Sequence, residues 1–321
     1  MDYLQKQIKL NYPSNKFKIS YTDQQISENV ATFLKKEFQD SKFTLPSGIM
    51  NACIDNLYCH KILQCHQVTF NIVHTADSKN IPPYGLLQRI IKRIVCILRI
   101  FSITKNFTIW FLPIVYVRKF PLNGQLISPE HINGGYTYHN GETIFIYRLE
   151  ECTKVILHEI LHHSKYDNQM LWNLNESQLY LKELKEIFHI DNITNLYINE
   201  AVVECFAILM QILLISFEFS IPLQKLITIE TEWSLQQSYK VLSYQNTYES
   251  LNMWKENTNA FAYIVIKSIF LVHINDFLSL KSYNPLEIRN FLIKNKTLPL
   301  PKIIPKIIED SSLRMTVFGD L

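Results

Sequence analysis

Apolar positions along the chain change their spacing several times, and each change marks an element. In "QQISENVATFLKKEF", residues 24–38, Ile26, Val30, Phe33 and Leu34 recur at helical intervals. "PSGIMNACIDNLYCHKILQ", 46–64, predicts a second helix opened by Pro46 and Ser47, so residues 1–65 read as a helical segment. The pattern then alternates. "QVTFNIVHT", 67–75, is β-branched and reads as a strand. "YGLLQRIIKRIVCILRIF", 84–101, returns to helical spacing through Leu86, Ile90, Ile94, Ile97 and Phe101. Its other face carries Arg89, Lys92, Arg93 and Arg99, which suits a surface helix packed on a sheet or one that binds a membrane or calmodulin.

"FTIWFLPIVYV", 107–117, predicts a strand broken by Pro113. "GGYTYHNGETIFIYR", 134–148, holds two alternating runs around His139, Asn140 and Gly141, which predicts a β-hairpin. Its second run leads straight into a helix expected from about Leu149 to Ser164, with Glu150 and Glu151 in the dipole-favoured first turn. "YINEAVVECFAILMQILL", 197–214, is apolar almost all round and predicts a buried helix. The remainder, 218–321, reads as mainly helical and punctuated by prolines, with a core helix over 257–270. The stretch "LPLPKIIPKII", 298–308, is expected to be extended, either packed on the body or free to bind a partner.

Composition narrows the picture. The 321 residues are 47% hydrophobic and 19% charged, enough for a sizeable globular core. A net charge of +3 is too mild to expect a nucleic-acid partner. The polar start, "MDYLQKQIKLNYPSNKF", has no apolar signal region. Six cysteines at 53, 59, 65, 96, 152 and 205 lack the spacing of a disulfide framework, so a reducing, cytoplasmic setting is expected. The most apolar run, Ala201 to Phe217, contains Glu204 and Gln211 and reads as a core helix, so no membrane span is expected. Cys59 with His60, and Cys65 with His66, make a weak second metal candidate, because their spacing fits no structural zinc site.

The candidate chemistry lies in "VILHEILHH", 155–163. His158 and His162 are four residues apart, so a helix sets both imidazoles on one face, where they can share one tetrahedral metal. Glu159 stands beside them, in reach of a water that such a metal would activate, and can serve as general base. Downstream, Glu200 and Glu204 also share one face of a helix, inside an apolar run where unpaired carboxylates are costly. A metal and a ligand histidine would satisfy both.

This pattern, His-Glu-x-x-His followed by Glu-x-x-x-Glu, resembles the zincin metallopeptidases, and within them the gluzincins. The residues after His162, namely His163, Ser164 and Lys165, lack the glycine and third histidine of the metzincin branch. The resemblance covers about 67–215. It implies an α+β, zincin-like fold: a small twisted mixed sheet with the active-site helix beneath it, then a mainly helical C-terminal subdomain. The divisions expected are 1–65, 66–165 and 166–321. The resemblance also implies a Zn2+ ion held by His158, His162 and Glu200, with Glu204 accepting a hydrogen bond from a ligand histidine. Asn199 before Glu200 matches a recurrent choice of the family. Two features depart from the family's usual pattern. The second acid is Glu where Asp is common, and 163–199 is a long interval, which predicts an inserted helical excursion over 166–196. If Glu200 were not the ligand, Asp167, Glu176 and His189 would be the next candidates.

The activity implied is zinc-dependent hydrolysis of peptide bonds in a protein or peptide substrate. Glu159 would move the proton, and Tyr263 is the candidate for oxyanion stabilisation, with a core tyrosine as the plainer alternative. An edge strand over Gly134 to His139 would hold the substrate, with Gly134 and Gly135 either admitting its backbone or forming an ordinary loop. Two other readings stay open: a zincin-fold binding protein without proteolysis, and a helical structural protein whose motif is accidental.

Overall fold

The computed structural model describes residues 1–14, 22–42, 44–65, 67–75, 83–121, 125–138, 141–164, 170, 175–190, 196–248, 256–305 and 310–319. Among them, six strands form one mixed sheet in the order β1-β2-β3-β4-β6-β5. The strands are β1 (Thr22–Gln25), β2 (Leu57–Cys65), β3 (Val68–Thr75), β4 (Phe107–Phe111), β5 (Gly135–Thr137) and β6 (Thr143–Ile146). β3, β4 and β6 run parallel, while β1, β2 and β5 join antiparallel.

Alternation along the central strands feeds two cores. Phe70, Ile72, Ile109, Phe111, Ile144 and Ile146 face the larger one. It also holds buried residues of α4 (Tyr84–Ile100), α6 (Cys152–His163) and α8 (Ile198–Phe219). Val73, Leu112, Phe145 and Tyr147 face the smaller core, with Leu34 and Phe38 of α2 (Glu28–Asp40) and Met50 and Ile54 of α3 (Ser47–Asp55).

The expected helix over 46–64 is therefore half right. α3 ends at Asp55, and Leu57–Cys65 is β2, paired with β3 along its length. Tyr58, His60 and Ile62 fit a pleated surface, and the pairing overrides the helical reading of a short run. The N-terminal 65 residues thus supply two strands to the sheet. The strand expected over 107–117 is shorter: β4 ends at Phe111, before Pro113, and 112–117 is not strand. β5 and β6 form the expected antiparallel pair, with β5 at the sheet edge. The turn residues His139 and Asn140 lie outside the described residues.

Two expectations about charge are corrected. Glu150 and Glu151 precede α6 instead of filling its first turn. Glu151 is the N-cap, in the left-handed region with φ 59°. Its carboxylate is fully buried, 2.9 Å from Arg118 Nη1, while Glu150 Oε2 accepts the Arg118 backbone N–H at 2.7 Å. On α4, Arg93 is only 1% exposed and pairs with Glu218 at 2.5 Å, so the basic face is partly interior.

The C-terminal half is mainly helical: α7 (Asn175–Phe188), α8, α9 (Leu223–Tyr248), a π-helix (Ala262–Ile266) running into α10 (Lys267–Val272), α11 (Ile274–Leu278) and α12 (Pro285–Lys294). α1 (Asp2–Asn11) and the single turn α5 (Pro129–Ile132) are the remaining α-helices among the described residues. Among the described residues α8 alone is long and apolar enough to cross a membrane, and 78% of its apolar window is buried in the fold.

Residues 310–319 are not helical. They hold an isolated bridge at Ser312, a bend at Met315 and a turn over 317–319, with Leu313 and Thr316 fully buried. The Thr316 N–H donates to Glu151 Oε1 at 2.8 Å, and its hydroxyl donates to Glu230 at 2.6 Å. Lys267 donates to the Met315 carbonyl at 2.9 Å, and the Thr153 hydroxyl donates to the Gly319 carbonyl at 2.5 Å. This segment therefore braces the first turn of α6. Of the proline-rich stretch, Leu300, Ile303 and Ile304 are exposed and 306–309 lie outside the described residues.

Candidate metal centre

α6 packs against α8 and against β5 and β6, and facing polar residues of the two helices meet. His158 and His162 present their Nε2 atoms to each other at 3.0 Å. Glu200 Oε2 completes a triangle, 3.5 Å from His158 Nε2 and 3.3 Å from His162 Nε2. With bonds of about 2.0–2.1 Å, the ligand atoms around a tetrahedral zinc stand about 3.3 Å apart. The three donors thus have the separations of one face of such a tetrahedron. Among the described residues these three are also the cluster of metal-competent side chains.

The rest of the site orients this triangle. His158 Nδ1 lies 2.8 Å from Glu204 Oε2. The nearby carboxylate favours a proton on Nδ1, the tautomer whose Nε2 lone pair is left for a metal. Glu204 Oε1 accepts from Lys154 Nζ at 2.7 Å, and both partners are almost completely buried. Tyr263, on the π-helix, donates its phenol proton to Glu200 Oε2 at 2.8 Å. Asn259 Nδ2 approaches the same phenol oxygen at 3.4 Å. Single-turn π-helices of this kind are rare and are frequently found at functional sites.

Above the triangle is an open cleft of about 250 Å³, lined by Glu159, Asn133, Asn259, Tyr263 and residues 135–138 of the sheet edge. Glu159 is 5% exposed. Burial pushes its carboxyl above the ordinary range, against the pull of His158 and His162. Burial also acts on Glu200, but the charge of His162 and the contact with His158 outweigh it and hold this carboxyl well below the ordinary range. His158 is pulled down by burial, yet its contacts with Glu200 and Glu204 leave it raised. Burial and the Glu200 charge drive Tyr263 well above the usual phenol range, so it stays a proton donor.

The two glycines at the start of β5 have a local explanation. A side chain at Gly134 would meet Arg118 Nη2 at 2.5 Å, and one at Gly135 would meet the Phe145 carbonyl at 2.7 Å and Val155 at 2.9 Å. They let α6 and Arg118 close on the sheet edge, beyond either sequence reading.

The structure brings His158, His162, Glu200, Glu204 and Tyr263 together, with Glu159 lining the same cleft. Of the fallback ligands, Asp167 lies outside the described residues, as does the side chain of Glu176, and His189 is not part of the cluster. In the second metal candidate, His60 is buried, hydrogen-bonds Asn71 at 2.9 Å and stacks on Trp110, while His66 lies outside the described residues. No disulfide joins any of the six cysteines. Sequence reasoning passed over Lys154 and Asn259. The available signal for Lys154 was a lone cation in an apolar helix, one turn before His158. No family model, no curated protein and no solved structure matches this chain.

Proposed function

We propose that the protein is a zinc-dependent metallopeptidase of the gluzincin type. The observation that carries this reading is the triangle of His158, His162 and Glu200, at 3.0, 3.3 and 3.5 Å, with Glu159 lining the cleft above it. The donor set, two imidazoles and one carboxylate, is that of a catalytic zinc with an open position. When bound, zinc supplies Lewis-acid polarisation of a carbonyl and lowers the pKa of a water.

The chain's own residues do the rest. Glu204 holds His158 in one tautomer. Glu159 takes a proton from the attacking water and delivers it to the leaving amine, a task suited to a carboxyl whose affinity for protons burial has raised. Tyr263 keeps its proton and can donate to the oxygen that gains charge. β5 presents an open strand edge beside the cleft, where an extended peptide can add as a further strand. The substrate class is therefore protein or peptide.

The test is metal analysis of the purified chain with a peptide-library cleavage assay, with and without chelator. One zinc per chain and chelator-sensitive cleavage are expected. His158→Ala should lose the metal. Glu159→Gln should keep it and lose cleavage by at least about a hundredfold. Zinc without cleavage would leave a metal-binding protein, and full zinc occupancy in His158→Ala would overturn the site.

A further inference from the structure

Lys154 is an anomaly in α6. It lies one turn before His158 on the same face of the helix, in a stretch otherwise apolar up to the motif, and it is 2% exposed. A buried ammonium is costly unless fully paired. Its contacts are Glu204 Oε1 at 2.7 Å and the weakly accepting Met315 sulfur at 3.7 Å. A buried ion pair is seldom retained for net stability, since well-packed apolar side chains do as well or better. The geometry offers another reason. Glu204 Oε1 accepts from Lys154 Nζ, and Oε2 stands 2.8 Å from His158 Nδ1 as a close charge contact that a small turn of the carboxylate would align. A carboxylate held at one oxygen only can rotate about its last bond. Held at both, it fixes the plane and direction of the imidazole.

We propose that Lys154 is a positioning residue of the metal centre: it clamps Glu204 so that His158 is directed at the ion, and zinc affinity depends on it although it does not touch the metal. This rests on the zinc reading of the site. Lys154, Glu204 and His158 form a chain across the α6–α8 interface that ties ligand direction to helix packing. Its expected size follows from the general cost of losing a ligand's outer hydrogen-bond partner, ten- to a hundredfold in affinity or activity.

The experiment is a double-mutant cycle on zinc affinity. The zinc dissociation constants of the full-length wild type, Lys154→Met, Glu204→Gln and the double variant are measured by chelator competition. Thermal unfolding is followed in parallel with chelator present. Lys154→Met is expected to weaken zinc at least about tenfold, and the double variant to bind about as well as Glu204→Gln alone, because the clamp acts only through Glu204. A wild-type affinity retained within about twofold by Lys154→Met overturns the inference. So does a double variant whose loss equals the product of the single losses, the result for a lysine that only packs. Should Lys154→Met not fold, Lys154→Leu, which likewise offers Glu204 no donor, takes its place with the same two outcomes. A wild-type chain that binds no zinc overturns the functional reading and this inference together, whereas normal wild-type binding with an indifferent Lys154 overturns this inference alone.

Discussion

The Tyr263 phenol donates to Glu200 Oε2 at 2.8 Å, so a residue of the π-helix touches the same carboxylate oxygen that faces both histidines. That contact makes Tyr263 part of the cleft and not only of the core. Tyr263→Phe removes one donor and little volume. It is expected to keep zinc, leave KM close to wild type and lower kcat by roughly two orders of magnitude, the usual cost of one oxyanion donor. Steady-state kinetics on a cleaved peptide, with metal analysis, checks it. An unchanged kcat would return Tyr263 to a packing role.

Glu200 and Glu204 are chemically identical and one helical turn apart, yet they meet opposite edges of His158. Glu200 faces Nε2, and Glu204 faces Nδ1. Glu200→Ala is therefore expected to abolish stoichiometric zinc at neutral pH. Glu204→Ala should weaken it ten- to a hundredfold and leave a detectable site. Equilibrium dialysis of both variants decides. The reverse ranking would make Glu204 the ligand.

Glu230 gives a pH dependence away from the candidate metal site. It is fully buried, accepts from Thr316 and the Val317 N–H, and burial raises its pKa from 4.5 to about 7 despite Lys267. A carboxyl whose folded pKa exceeds its unfolded value binds its proton more tightly when folded. Its stabilising contribution is present below about pH 4.5 and lost as pH rises through about 7. Glu230→Gln lacks this loss. The stability of the variant relative to wild type should rise between pH 5 and 8 by up to about 3 kcal/mol. Urea unfolding at several pH values measures it, and a flat difference would contradict the burial argument.

Gly319 packs on the left-handed Glu151, and a side chain there would meet the Glu151 Cα at 2.9 Å. Gly319→Ala is expected to cost about 1–3 kcal/mol, as overpacking of a dense site does. A lowered Tm checks it. If the segment over 310–319 were loosely attached, Tm would not move.

The parts of the site that the sequence exposes are local ones. His158 and His162 lie one turn apart, so their relation is set by helix geometry alone. Glu200 and Glu204 stand out because acids in an apolar helix demand partners. Glu204 finds two, His158 and Lys154, and only the first could be expected. Lys154 reads as a stray cation until α8 is laid against α6. The same holds for Arg118, whose partners Glu150 and Glu151 lie more than thirty residues downstream. β2 was hidden because Leu57–Cys65 has an apolar pattern compatible with either period, and only its pairing with β3 decides. The buried course of 310–319 has no periodic signal, because its backbone bonds go to side chains and loops.

The bond from Thr316 to Glu151 closes a span of 165 residues. At about 5–20 residues per second, a ribosome makes the brace roughly ten to thirty seconds after the helix that carries His158 and Glu159. Glu204, Tyr263 and Lys267 also emerge in that interval. For a hydrolase of the kind proposed here, the nascent chain would carry its proton-transfer group long before the group is held in position, so cleavage competence would follow synthesis of residues 310–319 and not precede it.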